Sequence, residues 1–264
     1  MAVTVHDLRA RKERGERFAM VTAYDFAVAR LLAEADIPAL LVGDSAGNNH
    51  LGYATTLPVS MEEMLHHARA VARGAPDRLL TGDMPFGAYH GSVDQATANA
   101  VAFLKAGMHA VKLEGGDWVV ALTAHLVARG IPVMGHLGLT PQWINAFGGH
   151  RVQGRSPEAR QRILEDARAL EEAGAFSLVL EGIPSSLAAE VTAGLSIPTI
   201  GIGAGPDCDG QVLVVYDLLG MTRGPMPKFA KPYAQLGDAV VAAARSFASE
   251  VAARSFPDDA HSYR

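Results

Sequence analysis

Short apolar runs bounded by turn-forming residues recur eight times along the chain, at residues 18–24, 39–44, 79–83, 110–114, 132–136, 177–181, 198–202 and 211–216. Between them lie alanine-rich stretches at 26–35, 60–73, 94–106, 118–129, 157–173 and 185–193, most of which end at glycine, as helix C-termini do. The junctions repeat visibly: "AEADIPALLVGD", "KAGMHAVKLEGG" and "EEAGAFSLVLEG" each read as a helix end, a turn and then a strand closing on a polar residue. Nearly continuous apolar runs suit parallel strands covered on their outer face. Eight of them alternating with helices predict an α/β chain folded as a (β/α)8 barrel. A doubly wound sheet, the competing architecture, needs only about five to seven strands and leaves the last units unexplained. Residues 3–16 read as a helix closing the barrel floor and 233–254 as a final amphipathic helix, so 1–254 form a single barrel domain and 255–264 a flexible polar tail.

Length and composition agree with that picture. A chain of 264 residues is the usual size of one such barrel, and 49% hydrophobic against 19% charged residues excludes disorder for most of it. With 23 Lys+Arg against 28 Asp+Glu, a net charge of -5 and no basic tract, nucleic acid is not an expected partner. No apolar run approaches the roughly 18 residues that span a bilayer, so no membrane association is expected. The single cysteine, Cys208, cannot form an internal disulfide or a cysteine-based zinc site, and no secretory signal is evident. The expected compartment is cytoplasmic.

Barrels of this kind carry their chemistry at the C-terminal ends of the strands. Runs two to six end in or beside Asp44, Asp83, Glu114, His136 and Glu181. Singly, an aspartate in "VGDSAG" or "TGDMPF" also suits a cap or a turn. Five such residues at one mouth repel one another unless a cation or proton compensates. Asp44, Asp83 and Glu114 offer only hard oxygen ligands, which point to Mg2+ rather than zinc. Lys112 stands two residues before Glu114 and so shares its face of the strand, where it pairs with a neighbouring carboxylate or receives a substrate anion. The three carboxylates and Lys112 carry a formal charge of minus two, which one divalent cation neutralises. Elsewhere, "GIGAGPDCDG" lacks the spacing and following helix of a dinucleotide loop and reads as a tight turn lining the pocket. Cys208 reads as a bystander, residues 137–155 as a lid or an ordinary structured loop, and His66 and His67 as outward, solvated side chains.

From about Thr4 to Ala234 the chain resembles the ketopantoate hydroxymethyltransferase family. The resemblance is carried in order by "VTAYDF", "LLVGDSAG", "LGYATTLPV", "DMPFGAY", "VKLEGG", "GHLGLTPQ", "VQGR", "EEAGAFSLVLEG", "IPTIGIGAGPDCDGQVLV" and "DLLG". It implies a barrel of the phosphoenolpyruvate/pyruvate superfamily type that binds Mg2+, takes 5,10-methylenetetrahydrofolate as co-substrate and assembles as a homo-oligomer, commonly a decamer. It implies Asp44, Asp83 and Glu114 as the metal site, directly or through water, and Asp44, Ser45, Asp83 and Lys112 as substrate contacts. Glu181 matches the proton acceptor, and His136 a pocket residue. The implied reaction adds a hydroxymethyl group to C3 of 3-methyl-2-oxobutanoate, giving 2-dehydropantoate for pantothenate synthesis.

The chain departs from the resemblance at Asn48, Asn49 and His50, where the family carries apolar residues, and in "EGIP", which replaces a more usual cysteine after the base. The polar 48–50 loop is expected to bear on binding of the one-carbon donor. Two alternatives stand beside this reading. A C–C lyase or mutase of the isocitrate lyase or phosphoenolpyruvate mutase type shares fold, metal and enolate chemistry, but generally carries a cysteine in a loop beyond strand four, whereas Cys208 lies near strand eight. A non-catalytic metal- or oxo-acid-binding barrel would not need Glu181.

Overall fold

The computed structural model of the chain describes residues 2–263. Eight strands, β1 (Phe18–Thr22), β2 (Ala39–Val42), β3 (Leu79–Asp83), β4 (Ala110–Glu114), β5 (Val133–Gly138), β6 (Ser177–Glu181), β7 (Thr199–Ile202) and β8 (Gly210–Leu213), close in sequence order into a parallel barrel. The helices are α1 (Val5–Glu13), α2 (Phe26–Glu34), α3 (Met61–Gly74), α4 (Val93–Lys105), α5 (Asp117–Val127), α6 (Ile144–Phe147), α7 (Pro157–Glu172), α8 (Ser185–Gly194), α9 (Val215–Leu218) and α10 (Leu236–Ala252). The predicted barrel is therefore present, with each expected strand in place.

Local chemistry accounts for the boundaries. Asp25, Ser60, Ser92 and Ser156 each accept a hydrogen bond from the backbone N–H three residues on and so start α2, α3, α4 and α7. Every residue of β2, β3 and β4 is buried, the pattern of strands covered on both faces. The inward positions alternate. Phe18, Met20, Ala39, Leu41, Leu79, Met134, Val179, Ile200 and Val212 form one apolar cluster inside the barrel, and Leu8 of α1 joins it with Val3 and Val5 packed alongside. Thus α1 closes the floor, as expected.

Further along the same inward positions, two to four residues on, the apolar filling gives way to Asp83, Lys112, Glu114, His136 and Glu181. Strand register brings these together: Asp83 pairs across the sheet with Lys112, Glu114 with His136, and Gly138 with Glu181. The stagger that closes the barrel therefore sets polar residues from four neighbouring strands at one end.

Some boundaries differ from expectation. The eighth run was expected to stay extended to residue 216, but its pairing with β1 stops at Leu213, and Val215–Leu218 turn into α9. The residues up to Val214 and those from Val215 onward form two compact units. In the second unit the expected flexible tail contains a 3-10 turn at Asp259–His261, because Asp258 accepts the N–H groups of Ala260 and His261. Phe256 also packs its ring 5.5 Å from that of Phe247; Arg264 lies outside the described residues. His67, expected outward, is buried, because Met64, His67, Ala68 and Val71 form the inward stripe of α3. Its Nδ1 lies 2.7 Å from the Tyr24 carbonyl. Among the described residues no helix is long and apolar enough to cross a membrane.

Gly138, at the end of β5, has φ +96°, and a Cβ there would stand 2.2 Å from the Glu181 carbonyl oxygen. Gly138→Ala is expected to cost roughly 2–4 kcal/mol, from backbone strain plus overpacking. Urea unfolding measures it, and a variant within error of the parent would contradict this account of the β5–β6 junction.

Candidate active site

Asp44, Asp83, Lys112, Glu114 and His136 are all buried at the C-terminal end of the barrel. The ammonium of Lys112 organises them. Its Nζ lies 2.6 Å from Asp83 Oδ1 and 3.5 Å from Glu114 Oε1. Asp83 Oδ2 accepts the Asp44 backbone N–H at 3.2 Å, which joins the ends of β2 and β3. His136 stands between two carboxylates, with Nδ1 3.3 Å from Glu114 Oε1 and Nε2 3.4 Å from Glu181 Oε2. Glu181 is the more open member, its side chain 15% exposed. Ser45 is half-buried, its hydroxyl 2.9 Å from that of Tyr24. Asp44, Asp83, Lys112, Glu114, His136 and Glu181 therefore lie in one connected group, with Ser45 next to Asp44 in the chain.

Burial and mutual repulsion decide the charge states. Burial pushes the Asp44 carboxyl well above the usual range, and the charges of Asp83 and Glu114 add to this. Burial also raises Asp83, against the opposing pull of Lys112. In Glu114 burial is outweighed by Lys112, by His136 and by the Gln142 N–H, so its pKa falls. Lys112 stays protonated despite burial because Asp83, Glu114 and Asp44 surround it. For His136, burial and Lys112 oppose protonation, but Glu114 and Glu181 prevail and push it up to about 9.

Three further side chains complete the site. Gln142, in a 3-10 turn at Pro141–Trp143 after β5, is buried among the carboxylates and bonded to Asp44 and Glu114. Tyr89 is buried beneath it, and its hydroxyl accepts the Glu114 N–H at 3.1 Å. Tyr24 holds Ser45. The motifs "GHLGLTPQ", "DMPFGAY" and "VTAYDF" contain these residues, but nothing in a glutamine or tyrosine on a loop indicates which carboxylate it will meet. The 137–155 segment is thus a folded loop that delivers Gln142 to the site. The polar 48–50 segment is a single π-helical turn, Gly47–Leu51, in which Asn48 and Asn49 donate to the carbonyls of Ala54 and Ser45. Those two polar replacements are satisfied by backbone, and the His50 ring lies 5.0 Å from that of His67.

The family model described as ketopantoate hydroxymethyltransferase matches residues 2–259. The chain belongs to the ketopantoate hydroxymethyltransferase family. The 3-methyl-2-oxobutanoate hydroxymethyltransferase of Acidothermus cellulolyticus is 55% identical over 262 residues, 99% of this chain and 96% of that protein. Among solved structures, phosphonopyruvate hydrolase in complex with oxalate and Mg2+ superposes with a TM-score of 0.64 at 16% identity, over 99% of this chain and 93% of that one. A 2,3-dimethylmalate lyase, a member of the PEP mutase/isocitrate lyase superfamily, superposes with a TM-score of 0.60 at 20% identity, over 95% and 88%. These two share the fold alone. The lyase or mutase alternative therefore rests on a common barrel, whereas hydroxymethyltransferase family membership rests on sequence along nearly the whole chain. That membership also disfavours the non-catalytic barrel.

A hydroxymethyltransferase site of this kind implies a divalent ion, and its donors fit Mg2+. They are carboxylate oxygens without thiolate, and their burial leaves Asp44 and Asp83 in want of a positive charge. Among the described residues no group of three or more His, Cys, Asp or Glu side chains is placed to hold a metal ion by itself. An ion held here would therefore take at most two of the carboxylates directly, with water or substrate in its other positions.

His136 supplies a test of the electrostatics. Its folded pKa of about 9 exceeds the ordinary 6.5, so the stability it contributes is complete below about pH 6.5 and is lost as pH rises through about 9. The melting temperature of the protein, measured with chelator present, is expected to fall across that window, and His136→Gln to flatten the fall. An unchanged slope in the variant would refute the assignment.

Proposed function

We infer that this chain transfers a hydroxymethyl group from 5,10-methylenetetrahydrofolate to C3 of 3-methyl-2-oxobutanoate, giving 2-dehydropantoate. The observation that carries the reading is the group of Asp44, Asp83, Lys112, Glu114 and His136 at one barrel mouth, with Glu181 beside it, in a member of this transferase family. We assign Asp44, Asp83 and Glu114 to hold Mg2+, directly or through water. The phosphonopyruvate hydrolase structure, which has the same fold, was solved with Mg2+. Bound there, the ion supplies Lewis-acid stabilisation of negative charge on the oxo acid.

The chain's own residues account for the rest. Lys112 remains cationic in a buried setting and offers a fixed positive charge to the substrate carboxylate, with Ser45 and the Asp44–Asp83 pair bordering the same space. Glu181 removes the C3 proton as general base. His136, 3.4 Å from its Oε2, orients that carboxylate and keeps it apart from Glu114. The carbanionic C3 then bonds to the one-carbon unit of the folate, whose two carbon–nitrogen bonds break; a water supplies the hydroxyl oxygen, and the protons from C3 and from that water end on the two folate nitrogens as tetrahydrofolate leaves. A barrel whose interior below the mouth is filled by apolar side chains excludes bulk water from the underside of the site.

We further infer a homo-oligomer, a decamer by resemblance, acting in the cytoplasm. Leu236, Val240, Val241 and Phe247 of α10 are all exposed, and further copies of the chain are the expected cover. Light scattering that gave a monomer at micromolar concentration would overturn this.

Formation of 2-dehydropantoate dependent on methylenetetrahydrofolate and divalent ion tests the overall reading. Isotope exchange isolates the base: with Mg2+, the parent protein is expected to exchange the C3 hydrogen of 3-methyl-2-oxobutanoate with deuterated water. Glu181→Gln should bind ion and oxo acid nearly normally and lose about 10²–10⁴-fold in exchange rate. NMR showing parental exchange in that variant would assign the proton to another group.

A further inference from the structure

We propose that Gln142 is the positioning residue that fixes the Asp44 and Glu114 carboxylates for the divalent ion, with Tyr89 setting the direction of its amide. The inference rests on the metal reading above and adds to it a residue that neither binds the ion nor carries charge.

Gln142 reaches across the mouth from the loop after β5. Its Nε2 donates to Asp44 Oδ2 at 2.9 Å and to the Met84 carbonyl at 3.0 Å, so both amide protons are used. Its backbone N–H donates to Glu114 Oε2 at 3.1 Å. One residue therefore occupies one oxygen of each of two carboxylates that stand on different strands. The bonds from Gln142 leave Asp44 Oδ1 unengaged by that residue, as an oxygen it does not withhold from a cation.

The direction of the amide is set from behind. The Tyr89 hydroxyl accepts the Glu114 N–H at 3.1 Å, and its own proton goes to Gln142 Oε1 at 2.8 Å in preference to the Glu114 carbonyl at 3.3 Å. Turned over, the amide would point its oxygen at two acceptors and its NH2 at a donating hydroxyl. Tyr89, Gln142, Glu114 and Asp44 thus form a connected set of bonds in which every donor has a defined acceptor. A neutral donor suits the place. A lysine or arginine would compete with the ion for Asp44, and a glutamate would repel both carboxylates.

Calorimetric titration of the full chain with Mg2+ tests the proposal, alongside the Mg2+ dependence of turnover. Gln142→Met keeps the length of the side chain and removes its side-chain hydrogen bonds to Asp44, the Met84 carbonyl and Tyr89, while the backbone N–H to Glu114 remains. It is expected to weaken Mg2+ binding by about 10–100-fold, as loss of a residue that orients a metal ligand does, and to recover most of kcat at saturating Mg2+. A merely structural role would instead lower kcat and leave the Mg2+ constant unchanged. Tyr89→Phe is expected to weaken Mg2+ binding less, and the double variant to bind no more weakly than Gln142→Met, since one residue acts through the other. Parental Mg2+ affinity in folded Gln142→Met overturns the proposal. If that variant does not fold, parental affinity in Tyr89→Phe overturns it. Failure of the unsubstituted protein to bind Mg2+ overturns the metal reading itself, and this one with it.

Discussion

The structure turns on a buried ammonium. Lys112 sits among Asp44, Asp83 and Glu114 out of reach of bulk water, and charges there are tolerated only when each has a close partner. One lysine cannot satisfy three carboxylates. The surplus negative charge is met in part by the imidazolium of His136 and in part by raised proton affinity at Asp44 and Asp83. On the proposed reading, a divalent ion would take over that compensation when bound.

The fold can carry that cost because it separates two tasks along each strand. The lower inward positions are apolar, filled by residues such as Met20, Leu41, Leu79 and Met134 and closed beneath by Leu8. The upper ones are polar and are held in register by neighbouring strands on both sides. Because every strand is anchored through its lower half, the upper half can hold mutually repelling groups in fixed positions. Gly138 and the loop beyond it carry the chain from β5 back over the mouth, where Gln142 completes the set.

The same arrangement divides the chemistry. Asp44, Asp83 and Glu114 lie toward β2, β3 and β4, Glu181 lies on β6, and His136 on β5 touches both sides. Glu181 is the carboxylate with access to the exterior. In the proposed roles, Glu181 would have the access a base needs to return its proton, and the charges that hold an anion would work in the drier part of the site.

Much of this is legible in the sequence. Eight apolar runs alternating with capped helices determine a closed parallel barrel, since few other arrangements bury so many strands on both faces. A strand period of two places Lys112 and Glu114 on one face, and the polar residues closing runs two to six mark the mouth. What a one-dimensional pattern leaves out is anything that depends on a loop's path. Gln142 lies 98 residues from Asp44, on a segment whose pattern fits a lid as well as a folded loop, and only the closed barrel brings the two together. His67 reads as surface from its polarity, yet the inward stripe of α3 buries it beside the Tyr24 carbonyl. The eighth run has the composition of strand to residue 216, but β8 ends at Leu213 and Val215–Leu218 turn into α9. Periodicity along a chain records which face of its own element a residue occupies. Which residues meet across elements, and which charges must therefore share a proton or an ion, is decided by register and loop path, and these exist only once the barrel has closed.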